Sequence, residues 1–393
     1  MSVDTKLKLN ATERRASVAL AGLFACRMLG LFLLLPVFAV AAQGLAGGES
    51  PTRVGLALGI YGLTQAFMQI PFGLASDRWG RRPVVLFGLV LFVVGSVVCA
   101  MSHDIFWVTI GRAIQGAGAI SAAVTAWLAD ATRDEVRTRA MAMVGASIGL
   151  SFALSLVLSP VLVGWWGLSG LFWAIAALGV VCLGVARYVV PLAPRSDARS
   201  MSASARDVLR HRDLLRLNLG VFVLHLTQVA LFVVIPGLLA QLGALAPSEL
   251  WRVYLPVILV SFVLMVPVVF VAERHRAHRG ALRACVAFLA VVLLAMVWLR
   301  HGFYPLAIGL TLFFVMFNVL EALQPSLVSR VAPKAYRGLA LGFYNTAQAA
   351  GLFCGGALGG WLLTHGGPDL VFLLTAGLTL GWLLATWALK PLP

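Results

Sequence analysis

The chain is built from long apolar stretches, each closed by charged or turn-forming residues. A run of about twenty apolar residues spans the ~30 Å hydrocarbon core of a bilayer as a helix. Twelve such spans are read at 17–42, 54–75, 83–101, 105–129, 140–164, 168–190, 217–241, 251–272, 281–299, 303–329, 338–364 and 369–389. Strands of a membrane barrel would alternate apolar and polar residues over about ten positions, whereas these runs are continuously apolar for about twice that length. An all-α integral membrane protein with twelve transmembrane helices is therefore predicted. Composition points the same way, with 61% of 393 residues hydrophobic and 11% charged, well away from the balance of soluble domains. The polar tail 1–16 reads as an uncleaved lead into the first helix, because it lacks the apolar core of a signal peptide.

Thirty Lys and Arg against fifteen Asp and Glu give a net charge of +15, a balance that in a soluble chain suggests a nucleic-acid partner. Placement argues otherwise. The tail and the even-to-odd connections hold 25 of the basic residues, the opposite face only Arg53, Arg252 and Arg300, and Arg27 and Arg112 lie inside spans. The positive-inside rule then puts both termini in the cytoplasm, in an inner (plasma) membrane protein. Membrane lipids are expected partners through these arginines; with no recognition motif or basic-aromatic groove, nucleic acid is not.

The longest connection, 191–216, divides the chain into six-helix units at 17–190 and 217–389, with 390–393 as a short cytoplasmic end. The units resemble each other. Pro36 matches Pro236, the segment Pro71 to Arg78 matches Pro267 to Arg274, and Arg137 matches Arg337, at offsets of 200, 196 and 200 residues. Such duplication is a signature of secondary transporters, which bind substrate between repeats near the bilayer midplane. No nucleotide-binding loop, zinc-protease or hydrolase motif is present, so an enzyme is not expected. All five cysteines fall inside apolar spans without C-x-x-C spacing, which suits packing better than a disulfide or a metal. No cofactor or metal is called for.

Between spans 2 and 3 the chain reads Gly73-Leu74-Ala75-Ser76-Asp77-Arg78-Trp79-Gly80-Arg81-Arg82. This resembles the G-x-x-x-D-R-x-G-R-R signature of the major facilitator superfamily, at the loop where that superfamily carries it. Glycine permits close helix approach, and an acid among arginines makes a charge cluster whose partners can exchange as helices rock. Asp130, Arg133 and Arg137 are candidate further members. The second copy, Val271-Ala272-Glu273-Arg274-His275-Arg276, keeps the acid-Arg pair and loses the glycines. Arg112 opens Arg112-Ala113-Ile114-Gln115-Gly116-Ala117-Gly118, similar to the R-x-x-Q-G-x-G pattern of the same superfamily helix; a helix-crossing clamp on backbone carbonyls is the alternative role for such an arginine. Span 5 has only a loose form of the antiporter glycine-proline pattern, in Gly145, Gly149, Ser159, Pro160 and Gly164. With Cys26 to Gly30 and Pro36 in span 1, Gly59 to Gln65 in span 2 and Arg337 to Asn345 in span 11, the chain is similar along all twelve spans to the YajR-like subgroup of drug:proton antiporters. The resemblance implies two pseudo-symmetric six-helix bundles around a cavity open alternately to each side.

Four ionisable groups lie well inside spans, where each is costly unless paired or wet: Arg27, Arg112, His225 and Glu321. Glu321 is the only acid among them, about 14 Å from the Arg330 end at 1.5 Å per residue, and His225 lies about 12 Å from the same face. The resemblance implies that helices 7 and 10 both line the cavity, so Glu321 is expected to carry the coupling proton with His225 as partner; a neutral group capped by a nearby hydroxyl or carbonyl is the bland alternative. Tyr61, Gln65 and Gln69 recur every four residues on span 2, and Asn345 and Gln348 lie three apart on span 11. These and Gln115 are candidate substrate contacts, though amides also serve as interhelical glue. The expected function is proton-driven export of a small amphipathic compound by a monomeric carrier, with a metabolite or sugar symporter or facilitator, and a non-transporting membrane sensor, as open alternatives.

Overall fold

The structure, a computed structural model, describes residues 9–192, 205–274, 277–333 and 337–389. Lys6, Lys8, Arg195, Arg199, His275, Arg276, Lys334 and Lys390 of the sequence reading, the end 390–393 and the side chains of Glu273 and Arg337 lie outside what is described. Among the described residues no strand occurs, and all twelve spans are helical.

Span 1 is the helix Ala11–Phe32, entered six residues earlier than its apolar run because Asn10 and Glu13 form a reciprocal capping box, which satisfies amides that a helix start leaves unpaired. A break at 33–37 around Pro36 separates it from the short turn Phe38–Ala41. Span 2 is Pro51–Trp79 and span 3 Arg81–Met101; between them Gly80 stands at φ +96°, a conformation that a Cβ disfavours. Span 4 is discontinuous, as Ile105–Ala117 and Ser121–Asp130. At the break, a Cβ on Gly118 would meet the Gly88 carbonyl oxygen of span 3 at 2.3 Å.

Spans 5 and 6 form one continuous segment, Asp134–Gly184, turned at Gly167. Spans 11 and 12 repeat this as Arg337–Trp387, turned at Gly367. The two glycines, 200 residues apart, have φ +66° and +68°, so the duplication legible in the sequence extends to the backbone of its turns. Arg212–Gly243, Trp251–Arg274, His278–Leu299 and Phe303–Val331 supply spans 7 to 10. Within the first half, Ser147 and Ser151 donate to the Ala21 and Ala25 carbonyls at 3.2 and 2.9 Å, and Ser159 to that of Leu33. The constant offset of 126 shows spans 1 and 5 packed in parallel, joined by hydroxyls where hydrophobic association is unavailable in lipid.

The two halves touch at the face opposite the basic one. A Cβ on Gly55 would lie 2.2 Å from the Gly356 carbonyl oxygen, and one on Gly62 2.4 Å from that of Ala349, so the backbones of spans 2 and 11 are in contact. Thr52 Oγ1 and Thr364 Oγ1 are 2.9 Å apart, and Tyr254 donates to the Pro36 carbonyl at 3.2 Å. Gly342 and Gly338 continue the same stripe of span 11 towards the basic face, and there an added Cβ meets nothing within 4 Å. The halves thus part towards the basic face.

Candidate functional site

Arg81 is the hub of the charge cluster between spans 2 and 3. It pairs with Asp77, donates to Ser76 Oγ at 2.8 Å, and reaches Asp130 Oδ2 on span 4 at 2.8 Å. Arg78 is exposed, and a Cβ on Gly73 would meet that of Ala122 at 3.7 Å, an ordinary contact. Arg82 holds the end of span 6 through the Val190 carbonyl at 2.6 Å and lies over Trp127, whose indole N–H bonds the Pro191 carbonyl. The expected members separate here. Arg137 bonds the Ala129 and Thr132 carbonyls at the end of the span 4 helix, and Arg133 grips Glu13 with Nε at 2.7 Å and Nη2 at 3.0 Å.

Glu13 was not singled out by the sequence reading, although the spacing Asn10-x-x-Glu13 is a capping signal. Its carboxyl, ahead of residue 17, is held down from 4.5 to about 2, mainly by the Arg133 guanidinium and further by the Asn10 and Arg133 amides, against an opposing effect of burial. A lowered folded value contributes stability above the unfolded value that is lost only as pH falls through the folded one. Glu13→Gln is therefore expected to lower the melting temperature by the same amount throughout pH 5 to 8, the difference narrowing below 4.5; thermal unfolding across that range checks it.

The two intramembrane arginines of the first half differ sharply. Arg112 is fully buried and committed: Nη1 bonds Gln115 Oε1 at 3.0 Å, Nε and Nη2 reach the Ala57 and Leu58 carbonyls at 3.4 Å, and the Tyr61 ring lies 4.8 Å from its centre. Gln115 in turn bonds Ser96 at 2.7 Å, facing span 3 as part of this clamp. Arg27, equally buried, has one hydrogen bond among the described residues, from Nη1 to Ser121 Oγ at 2.8 Å, and lies 5.8 Å from the Tyr61 ring. The Tyr61 hydroxyl, Gln65 Oε1 and both amide atoms of Gln69 are buried without partners among the described residues, so that face of span 2 presents a row of polar groups that water or substrate would satisfy.

In the second half the structure brings three expected residues together. His225 Nδ1 donates to the Val221 carbonyl at 3.0 Å, so Nε2 accepts from the Gln348 amide, 2.7 Å away. Glu321 Oε2 stands 3.5 Å from the same Nε2 and has no hydrogen bond among the described residues. His225 is buried and packs on Phe317, whereas the Glu321 side chain is 31% exposed. Protonating the imidazole would point Nε2–H at the carboxylate and require the Gln348 amide to present its oxygen instead. Asn345 lies one turn before Gln348, half-buried. The sequence reading passed over Ser121, the partner of Arg27, and Gln324, whose amide is wholly buried without a partner among the described residues. A polar residue in an apolar run was the signal for both.

The Major Facilitator Superfamily model matches residues 20–320 and 217–393. The chain is 42% identical over 390 residues to the inner membrane transport protein YajR of Escherichia coli (strain K12), covering 98% of this chain and 86% of that one. It is 23% identical over 371 residues to the multidrug resistance protein MdtH of Cronobacter sakazakii (strain ATCC BAA-894), covering 92% and 90%. Among solved structures, a bacterial homolog of the human lysosomal transporter Spinster superposes with a TM-score of 0.75 at 13% identity, covering 97% of this chain and 95% of that one. On twelve helices in two repeats, a matching family model and a relative of high identity along almost its whole length, the chain belongs to the Major Facilitator Superfamily.

Proposed function

We propose that this chain is a proton-coupled carrier of the inner membrane, termini cytoplasmic, that exports a small amphipathic compound in exchange for protons by alternating access. The observation that carries the reading is the His225, Glu321 and Gln348 cluster: an acid and an imidazole 3.5 Å apart inside the bilayer, with an amide able to serve either protonation state. With the basic face cytoplasmic, the parting of the halves towards it supports an inward-open reading, with the contact of spans 2 and 11 closing the outer side. The name of the Escherichia coli relative, an inner membrane transport protein, supports transport, and that of the Cronobacter relative, a multidrug resistance protein, supports a drug-like substrate. Inward proton movement releases about 2.3 kcal/mol per charge per 100 mV, enough for a gradient on the order of fiftyfold.

The test is flux in proteoliposomes under an imposed pH gradient, with a panel of dyes, antibiotics and sugars. Wild type should move its substrate in proportion to the gradient, and Glu321→Gln should lose that dependence while keeping downhill exchange. An unchanged response of Glu321→Gln to the gradient would sink the coupling role, and gradient-independent flux in wild type would mark a facilitator.

A further inference from the structure

Arg27 stands apart from the proton cluster and, among the described residues, makes no ion pair with an acid. The residue is 1% exposed, one guanidinium nitrogen bonds Ser121 Oγ at 2.8 Å, and Nε and Nη2 are buried with no partner among the described residues. Those two N–H groups form the side-on edge of the guanidinium, the fork that receives both oxygens of a carboxylate. Ser121 is the first residue of the second helix of span 4, Ser121–Asp130, and the preceding residue, Ile120, makes no side-chain cap. A helix start leaves its first amides without intrahelical partners and carries partial positive charge, so Arg27 adds a full positive charge to an end that already favours an anion.

Discontinuous membrane helices whose starts face anionic substrate groups are a recurring carrier device. Here the break is built in by the close passage of Gly118 against Gly88. The Tyr61 hydroxyl, also buried and unpartnered, belongs to a ring 5.8 Å from the Arg27 guanidinium carbon. From Tyr61 the unpartnered Gln65 Oε1 and the unpartnered amide of Gln69 continue along span 2 towards the side on which the halves part. The repeat offers a further correspondence. Two hundred residues beyond Arg27 and Ser121 stand Thr227 and Glu321, so the second half places its acid in the register of Ser121, the residue that holds Arg27 in the first.

We propose that Arg27, with the start of the Ser121–Asp130 helix and the Tyr61 hydroxyl, binds the carboxylate of the transported compound, which is an amphipathic organic acid. The proposal rests on the carrier reading for the word transported, but the site itself can be measured without a gradient.

Purified protein is titrated with 1-naphthoate and with its uncharged counterpart 1-naphthamide, following thermal unfolding and tryptophan fluorescence, in gluconate and in chloride buffers. Naphthoate should bind wild type saturably and raise its melting temperature, and naphthamide should do neither. Arg27→Gln should weaken naphthoate at least tenfold, and Arg27→Lys, which keeps the charge without the fork, should fall between. Without ligand, Arg27→Gln should melt at or above the wild-type temperature, because it removes an unpaired charge from the interior. Naphthoate binding that is absent in wild type, or equal in Arg27→Gln, overturns the proposal, as does a large loss of ligand-free stability in Arg27→Gln, which would mark a structural clamp. Displacement by millimolar chloride would assign the site to a small inorganic anion and also overturn it. Naphthoate that binds yet is not moved in proteoliposomes would leave the site standing and sink the carrier reading.

Discussion

Oxidising a protein that carries both Thr52→Cys and Thr364→Cys is expected to abolish transport, and a thiol reductant to restore it. The two hydroxyl oxygens are 2.9 Å apart across the contact between the halves, so sulfur atoms in their place need move only about 1 Å to bond. Alternating access requires this contact to open once per cycle. The neighbouring backbones show how tight the closure is: a Cβ on Gly356 would stand 2.4 Å from the Gly55 carbonyl oxygen and 2.7 Å from the Gly59 nitrogen. Backbone atoms of two helices cannot yield as a flexible side chain can. Gly356→Leu should therefore disfavour the closed contact by roughly 1–3 kcal/mol, a shift of about five- to 150-fold in the equilibrium between states. Its measure is the rate at which the paired cysteines cross-link, expected to fall in the Gly356→Leu background while single-cysteine controls stay unlinked. Efficient cross-linking with undiminished transport would show that the spans 2 and 11 contact does not open during the cycle.

Arg81→Ala is expected to remove most of the transport rate and several degrees of melting temperature. One guanidinium joins Asp77, Ser76 and Asp130, tying the turn between spans 2 and 3 to the end of span 4. The Asp130 side chain is only 16% exposed, so deleting its partner leaves a carboxylate largely out of water, costing about 1–3 kcal/mol after allowance for partial hydration. Each 1.4 kcal/mol is tenfold in a rate limited by the population of the productive state. Arg81→Lys keeps the charge but not the fork and should recover part of both losses. Arg78→Ala, by contrast, changes an exposed side chain on the same turn and should leave the melting temperature almost unaltered. Flux measurements and thermal unfolding on the three variants separate these outcomes.

Much of the architecture was legible because a bilayer imposes a long apolar run on every crossing helix. The same rule hides where a run stops. Span 1 starts at Ala11 because of its cap, spans 5 and 6 are a single segment turned at Gly167, and span 4 breaks where Gly118 meets span 3. The two intramembrane arginines show the limit most clearly. Both sit in apolar runs, and only Arg112 lies in a superfamily motif, with a carbonyl clamp as its alternative role; the structure makes Arg112 that clamp, whereas two nitrogens of Arg27 have no partner among the described residues. Which carbonyls and hydroxyls come within reach depends on how three helices cross, and hydropathy does not carry that information.

The sequence by itself determined the twelve helices, the duplication, the basic face and the short roster of buried polar groups, because each follows from the cost of placing charge or bare backbone in lipid. Only the tertiary structure decided that Gln348 and Glu321 meet at the same nitrogen of His225, that Arg133 grips Glu13 while Arg81 holds Asp77 and Asp130, and that the halves meet at one face and part at the other. Those are matters of distance between segments far apart in the chain, set for span 11 by the close approach of glycine backbones to spans 2 and 7.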